Sequence, residues 1–521
     1  MGIELEKESV RINDFFDETE IQTIFEDDIV MPDVKPDVKE ILSADAQLIV
    51  QNVESDNEKV VVEGCIVYKV LYLSSGEKEE IKGVNSSSDF SQEITVGGSG
   101  MLTAKVRCDV AHIDCKIVND RKLNIKTVVQ MTCKSYRELY LDVVKGISGE
   151  QDGSVQVLAG EVELNRFLGM GEDVAILHEP IVLADGFPEI GEMLQTDLKI
   201  ASVETGFVDG NFLIEGKMSF MGMYLSQVED DAIHVVNSEF SFGKAMEIPG
   251  FRMDAEHLTD VRILDGKYSV RENEDGERKV IDLEITIKCN GEAYEKMKCG
   301  LMEDAYSVNG SLHIQKEMAT IQNVRITEQT TFMVKELFSI EEGMPECKEM
   351  FAVTPSVSVN DYTVGNGKIV VQGVCAYHML YISNTKSKPV QSLRVENEFT
   401  QTFDIKGLTE GMRCDLHAEM QHVSYAVRNG TRIEMNADVT LKMKFMEQMQ
   451  IPCITEIEET LPEETGEVTQ KSSGFVIYFV QPGDSMWNIA KRYKITREKL
   501  QVYNTDIDEA IAGTQMLIPK R

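Results

Sequence analysis

An alternation of apolar and polar side chains dominates the first 450 residues. Runs such as 60–68 and 368–381 are rich in β-branched and aromatic residues with this alternation, and a period of two is typical of β-strands with one buried face. Residue pairs that favour tight turns, such as Asn366-Gly367 and Asn429-Gly430, separate the runs. The pattern therefore predicts a mostly-β chain.

The same pattern occurs three times with a constant internal spacing. In each copy a proline precedes a glycine by 28 positions, and that glycine precedes a tyrosine by 8 positions. The three sets are Pro36, Gly64 and Tyr72; Pro188, Gly216 and Tyr224; and Pro345, Gly373 and Tyr381. The copies are 152 and 157 residues apart, a distance typical of domains rather than of solenoid repeats. We expect three mostly-β domains of sandwich or barrel type, at 10–150, 155–310 and 318–450.

Each member of the shared set has a structural interpretation. Pro36, followed by the acidic Asp37 and Glu40, predicts a short helical turn that begins at the proline. A glycine inside a strand indicates a β-bulge or a close approach of two backbones, and the tyrosine is expected to pack in the core. We favour this fold-maintaining interpretation over a repeated binding surface.

The composition changes after residue 450. Residues 453–474 contain six glutamates among Pro, Thr, Ser and Gly, and such a segment repels itself and has little to bury. We expect a flexible acidic linker there, with an ordered edge segment of the third domain as the alternative. The residues that follow, 475–521, carry a formal charge of +2 against −39 for the rest of the chain, which indicates a separate C-terminal module.

The C-terminal module is predicted to have the element order β-α-α-β. An apolar stripe at helical spacing follows Asp484 or Ser485, either of which can cap the first helix. The stripe consists of Met486, Ile489, Ala490 and Tyr493. Thr496 can cap a second helix that buries Leu500 and Tyr503.

Three motifs of the module, at 479–490, 500–504 and 512–519, resemble the LysM family. The resemblance implies a shallow groove for glycans that contain N-acetylglucosamine, such as peptidoglycan or chitin. The groove would be formed by Gly483, Asp484, Ser485, Met486, Asn504, Thr505, Asp506 and Ile507. Two positions depart from the family pattern, because Lys494 stands where a glycine is usual and Thr505 where a proline is usual.

Trp487 is the single tryptophan and lies beside the apolar stripe. It is either exposed as an anchor for a partner or covers the edge of a small core. Both interpretations remain open, and Trp487 is a candidate binding residue together with the groove.

Net charge and cysteine usage narrow the function class. The formal net charge of −37 argues against non-specific binding to nucleic acid or to anionic lipid. None of the ten cysteines forms a C-x-x-C pair, so we interpret them as reduced core thiols of a cytosolic protein. The N-terminal residues lack the pattern of a secretory signal, and no apolar run has the length of a transmembrane helix.

The sequence contains no common catalytic or metal-binding motif. Cys414 and His417 are three positions apart, and His417 and His422 are five apart. An odd spacing places side chains on opposite faces of a strand, which disfavours both a thiol hydrolase and a paired metal site. We expect no enzymatic activity, no cofactor and no metal.

The three repeats are similar to the SPOCS domain family of spore-forming bacteria, most clearly at 32–42, 60–64 and 68–72. Several SPOCS domains followed by a LysM domain are the layout of the SipL/SpoVID-like spore coat morphogenetic proteins. The resemblance implies a non-enzymatic adaptor of the mother-cell cytoplasm that is recruited to the forespore surface. Its LysM module would dock on a coat-basement ATPase of the SpoIVA type, with other coat proteins as further partners. The alternative is a peptidoglycan-binding protein of the spore envelope; a wall hydrolase would need a catalytic domain in addition.

Overall fold

A computed structural model describes residues 3–56, 58–76, 79–97, 102–148, 154–208, 211–227, 233–385, 389–460, 474–507 and 509–520. All structural features below lie within these residues.

Each of the three repeats contains six strands, which form two three-stranded antiparallel sheets. In repeat 1 the strands are β1 (Glu4–Val30), β2 (Val38–Asp56), β3 (Lys59–Ser74), β4 (Ile81–Thr95), β5 (Leu102–Asn119) and β6 (Lys122–Ser148). In repeat 2 they are β7 (Val155–Val182), β8 (Ile190–Val208), β9 (Asn211–Ser226), β10 (Ile233–Met246), β11 (Glu256–Arg271) and β12 (Val280–Ser307). In repeat 3 they are β13 (Ser311–Ser339), β14 (Cys347–Gly365), β15 (Lys368–Ser383), β16 (Val390–Asp404), β17 (Arg413–Arg428) and β18 (Arg432–Thr460).

The strand order is the same in all three repeats. The sixth strand lies between the first and the fifth, and the third strand lies between the second and the fourth. The two sheets of a repeat share one core: in repeat 1, Val62 and Tyr68 of β3 belong to the same buried cluster as Ile125 and Met131 of β6. The mostly-β class predicted from the alternation and the three repeat domains predicted from the constant spacing are confirmed.

The tyrosine of the shared set fastens the segment that leads into the second strand. Its hydroxyl donates to the carbonyl oxygen of the proline of the same set, at 3.1 Å in repeats 1 and 2 and 2.9 Å in repeat 3. All three tyrosines are 0% exposed. These contacts support the fold-maintaining interpretation of the set.

The helical turn expected after Pro36 was wrong. β2 begins at Val38, whose N–H donates to the carbonyl oxygen of Asp120 at 2.8 Å, and from there the chain pairs with β3. A single helical turn is costly to nucleate, whereas pairing along a strand satisfies backbone groups over its whole length. Long-range pairing therefore overrides the local preference of the proline.

The glycine of the shared set lies at a bulge with a close backbone approach, as predicted. In repeat 1 the register of β2 shifts between Val50 and Asn52, and Val50 pairs with Gly64. A Cβ atom on Gly64 would lie 2.1 Å from the carbonyl oxygen of Ile49. Any side chain at this position would therefore displace β2.

Equivalent residues of the three repeats converge in shared hydrophobic clusters. Three clusters each receive residues from all three repeats. They include Ile12, Leu164 and Ile321 in the first, Leu71, Met223 and Leu380 in the second, and Leu5, Val157 and Ile314 in the third. Because each triplet keeps the spacings of 152 and 157 residues, the repeats form one body with approximate threefold symmetry.

The expected linker does not begin at Cys453. β18 continues to Thr460 and pairs with β13 as far as Ser311, so residues 453–460 are an ordered edge segment of repeat 3. Their glutamates stand beside Ile454 and Ile457, which pack into one of the shared clusters. Residues 461–473 of the expected linker lie outside the described residues.

The C-terminal module has the predicted β-α-α-β order. Its elements are β19 (Phe475–Phe479), α1 (Met486–Tyr493), α2 (Arg497–Val502) and β20 (Gln515–Pro519), with β19 and β20 paired antiparallel. The stripe residues Met486, Ile489 and Ala490 are buried, and Tyr493 packs against them. The small α+β module expected from the sequence is confirmed.

Candidate functional site

The two helices of the C-terminal module begin where the sequence places their caps. The hydroxyl of Ser485 accepts the N–H of Asn488 at 3.1 Å, and the hydroxyl of Thr496 accepts the N–H of Lys499 at 3.1 Å. These bonds satisfy N–H groups that have no partner inside the helix. The Ser485 cap thereby fixes the first loop of the expected groove, which leads into α1.

The Asp484 carboxylate stabilises the same loop through three contacts. Its carboxylate accepts the hydroxyl of Tyr478 and the N–H of Gln481, and it pairs with Arg492 at 3.1 Å. The Tyr478 bond first, then the Gln481 bond, lower the pKa of Asp484 below its ordinary value. The carboxylate is therefore ionised and stabilises the loop, and the Asp484 side chain is only 7% exposed.

The Asn504 side chain stabilises the second loop of the groove, residues 504–507, by hydrogen bonds. Its amide group donates to the carbonyl oxygens of Leu500 and Leu517, both at 2.8 Å, and its side-chain oxygen accepts the N–H of Leu517 at 2.8 Å. These bonds tie the end of α2 to β20. Asn504 is 6% exposed, so the groove position with the most hydrogen-bonding capacity is used within the module.

The other groove residues divide into exposed and packed positions. Gly483, Ser485, Thr505 and Asp506 are exposed. Gly483 has φ of 87°, a conformation that suits a glycine. Met486 and Ile507 instead belong to the hydrophobic cluster of the module. The structure thus leaves a narrow polar rim free and places the apolar groove residues in the core.

Trp487 is not free at the surface, because it lies against repeat 2. Its indole Nε1 donates to the Asp304 carboxylate at 2.8 Å, and its ring meets the Tyr306 ring edge-to-face at a centroid distance of 4.8 Å. Trp487 is 7% exposed and Tyr306 is 4% exposed. Neither sequence interpretation included this docking, since Asp304 and Tyr306 lie more than 180 residues away.

Further polar contacts join the module to repeat 2 and to the turn that follows it. Lys491 pairs with Asp304 at 2.6 Å, and the hydroxyl of Tyr306 donates to the carbonyl oxygen of Ile495 at 2.6 Å. Lys494 donates to the carbonyl oxygen of Gly310 at 2.7 Å. The module is therefore seated on the end of repeat 2.

A second surface of the module is apolar and exposed. Phe475, Ile477 and Phe479 of β19 are 53%, 56% and 56% exposed, and Leu517, which pairs with Ile477, is 39% exposed. Tyr503, which was expected to be buried, is 43% exposed and packs on Phe475 at 5.2 Å. We call this set of five residues the β19 face.

The sequence interpretation missed the β19 face, although the signal is present. The strand is apolar at both odd and even positions, and the even positions already fill the small core. The residues at odd positions consequently have no core left to enter, which is the pattern of an interaction surface.

Elsewhere in the described chain, the thiol candidate is unsuited to nucleophilic chemistry. Burial, followed by the nearby Asp415, raises the pKa of Cys414 to about 12, so the thiol stays protonated at neutral pH. His417 instead contacts Arg107 and Glu419. Within the described ranges, no three His, Cys, Asp or Glu side chains lie close enough to hold a metal ion, and neither helix is long and apolar enough to cross a membrane.

Comparison with known families matches both parts of the chain. The family model described as SipL, SPOCS domain, matches residues 37–118, 189–271 and 346–428, which cover the second to fifth strands of each repeat. The LysM domain model matches residues 478–519. Together the matched segments cover more than half of the chain. No curated protein and no solved structure matches it.

Proposed function

The chain belongs to the SipL-type family of SPOCS-domain proteins that end in a LysM domain, and from this premise we propose that it is an assembly adaptor of the spore coat. This set of domains fits a sporulation coat protein with a peptidoglycan-binding-like module. In our proposal the LysM domain docks on a coat-basement ATPase of the SpoIVA type and so recruits the chain to the forespore surface. SPOCS and LysM are non-catalytic domain families, and the proposed role needs no enzymatic activity.

The β19 face is the observation that carries the proposal. It presents Phe475, Ile477, Phe479, Tyr503 and Leu517 side by side, each between 39% and 56% exposed. Contiguous exposed apolar side chains mark surfaces that bind other proteins, and exposed aromatic residues are frequent anchors in such interfaces. The face belongs to a domain that is itself firmly folded around Ile489 and Leu500, both 0% exposed.

The state of the groove also favours a protein partner over a glycan. A sugar needs hydrogen-bonding groups that are free to reach it. Asp484 and Asn504 already use their hydrogen-bonding groups within the module, and Met486 packs in the core of the module. The exposed rim of Gly483, Ser485, Thr505 and Asp506 is a secondary candidate.

The three SPOCS repeats supply a rigid support in this proposal. Their shared clusters join the repeats into one body, and the LysM domain sits at one end of repeat 2. The proposed domains are therefore repeat 1 with strands β1–β6, repeat 2 with β7–β12, repeat 3 with β13–β18, and the LysM domain at 475–521.

The decisive experiment measures binding of the purified full chain to a purified SpoIVA-type ATPase. Ile477→Asp and Phe479→Asp place a charge in the middle of the β19 face and should each weaken binding by about 2 kcal/mol or more, which is roughly 30-fold in Kd. Titration calorimetry measures both values directly.

The matched control is Ile24→Asp. Ile24 is 64% exposed on β1 of repeat 1, so the same substitution adds the same charge to an exposed strand position outside the LysM domain. We expect this variant to bind as the wild type does. Equal binding by Ile477→Asp, or no binding by the wild-type chain, would contradict the proposal.

The alternative function is binding of peptidoglycan through the exposed rim of the groove. This alternative is supported by the exposure of Thr505 and Asp506 in a domain that matches the LysM model. Sedimentation of the full chain with purified sacculi tests it. Co-sedimentation that is lost in Thr505→Ala and Asp506→Ala, but retained in Ile477→Asp, would favour the glycan.

A further inference from the structure

The contact between the LysM domain and repeat 2 has the composition of a specific binding site. One carboxylate, that of Asp304, accepts hydrogen bonds from both Trp487 and Lys491, at 2.8 Å and 2.6 Å. Beside it, the Tyr306 ring packs against the indole, and the Tyr306 hydroxyl donates to the carbonyl oxygen of Ile495 at 2.6 Å. Charge-assisted hydrogen bonds of this kind are stronger than neutral ones and demand a fixed geometry.

Only repeat 2 provides these groups. The strand registers place Asp304 at the same position as Gly146 in repeat 1 and Glu456 in repeat 3. Tyr306 corresponds to Ser148 and Glu458 in the same registers. Among these three equivalent strand ends, only that of repeat 2 has both a carboxylate and an aromatic ring. The LysM domain can therefore form this set of contacts with repeat 2 and not with the other two repeats.

Lys494 gives a second, independent indication. It follows α1 with φ of 49° and ψ of 51°, the left-handed conformation, which is unfavourable for a long side chain such as lysine. Its amine donates to the carbonyl oxygen of Gly310 at 2.7 Å and contacts Ser311. A lysine at this strained position is explained by the bond that it makes to the body.

We infer that the strand end formed by Asp304 and Tyr306 is a binding site for the LysM face of Trp487, Lys491 and Lys494, and that this site holds the domain in cis. The face recognises a carboxylate next to an aromatic ring on a β-strand. The β19 face lies outside this contact and stays free for a partner while the domain is docked. Any ligand that needs Trp487 has to displace repeat 2 first. The inference does not depend on which partner the β19 face binds.

Trp487 itself reports the docking, because it is the only tryptophan in the chain. In the wild type we expect an indole that acrylamide quenches poorly. Asp304→Ala removes the acceptor of both Trp487 and Lys491, and Lys494→Gly removes the bond to Gly310 while relieving the backbone strain. Each lost charge-assisted hydrogen bond should lower the docked-to-undocked ratio by roughly tenfold or more, with stronger quenching and red-shifted emission.

Glu456→Ala is the control, since it removes the carboxylate at the equivalent, exposed position of repeat 3; it should leave the fluorescence of Trp487 unchanged. Hydrogen exchange of the α1 amides is measured on the same samples. Increased quenching in both variants with α1 still protected supports the inference. Unchanged quenching in both variants overturns it, as does an indole that is already accessible in the wild type. Loss of α1 protection also overturns it, because the contact would then complete the fold of the domain rather than join two folded bodies.

Discussion

A glycine is required at positions 64, 216 and 373 because the neighbouring strand passes too close for a side chain. A Cβ atom at these positions would lie 2.1, 2.2 and 2.3 Å from a backbone carbonyl oxygen of the second strand of the same repeat. In all three repeats a phenylalanine of the fourth strand lies directly opposite the glycine and covers it. The missing side chain thus allows a bulged strand and an aromatic ring to pack on the same position.

Gly373→Ala should destabilise the protein by about 1–3 kcal/mol, because the new methyl group has to displace both the Ser358 carbonyl and the Phe399 ring. Urea denaturation at constant pH measures the change in the free energy of unfolding. Gly300→Ala is the matched control: Gly300 is also in a strand, but its added Cβ would meet no atom within 4 Å. We expect that variant to be neutral or slightly stabilised, by up to about 1 kcal/mol. Equal losses in both variants would contradict the steric explanation.

At the scale of elements, the central strands β3, β9 and β15 do more than complete their sheets. Each carries the tyrosine whose hydroxyl binds the proline carbonyl ahead of the second strand. This bond joins a loop to the middle of the sheet and helps to fix where the second strand begins. Burial, followed by the nearby Glu192, raises the pKa of Tyr72 to about 12, so the hydroxyl remains a donor at neutral pH.

Tyr224→Phe should therefore cost about 0.5–1.5 kcal/mol of unfolding free energy, the net value of one hydrogen bond, because the Pro188 carbonyl loses its donor. Thermal and urea unfolding monitored by circular dichroism give the difference. Tyr377→Phe is the comparison of choice. Tyr377 is fully buried, and its hydroxyl has no hydrogen-bond partner in the described part of the chain. Its removal should be neutral or stabilising, and a loss as large as that of Tyr224→Phe would refute the role given to the proline bond.

At the scale of the whole molecule, the three repeats behave as one unit because equivalent residues share their cores. Charged residues differ between equivalent positions of the three repeats, although the backbone is the same there. Lys134, Glu292 and Lys444 occupy equivalent register positions in the three repeats, and Lys105 pairs with Glu292 at 2.7 Å while Lys134 pairs with Asp415. These ion pairs cross between repeats, so exchanging two repeats would bring like charges together.

Ile321→Ala should destabilise all three repeats together, by about 2–5 kcal/mol, because Ile321 is 1% exposed in a cluster that residues of every repeat form. Calorimetry should show one unfolding transition that moves to lower temperature. Hydrogen exchange should show weaker protection in β1 and β7 as well as in β13. Ile24→Ala, at an exposed position of β1, should change neither measurement. A variant in which only repeat 3 loosens would argue against a shared core.

The sequence by itself determined the local structure and the number of units. Alternation of period two produced the strands, and Asn366-Gly367 closes the hairpin between β14 and β15 with Gly367 at φ of 74°. The constant spacing of the shared set revealed three repeats, and capping residues located both helices of the LysM domain. These features depend on neighbours along the chain, which is why they can be read from a single sequence.

Only the tertiary structure decided how the units meet and which residues they leave free. It turned the segment after Pro36 into a strand, extended β18 to Thr460 and buried Trp487 against Asp304 and Tyr306. It also occupied half of the expected groove and exposed the β19 face instead. These outcomes depend on contacts between residues that are distant in the sequence, such as Trp487 and Asp304, which are 183 positions apart. The free energy of such contacts comes from burial and charge pairing between surfaces, and the local pattern of residues does not encode which surfaces meet.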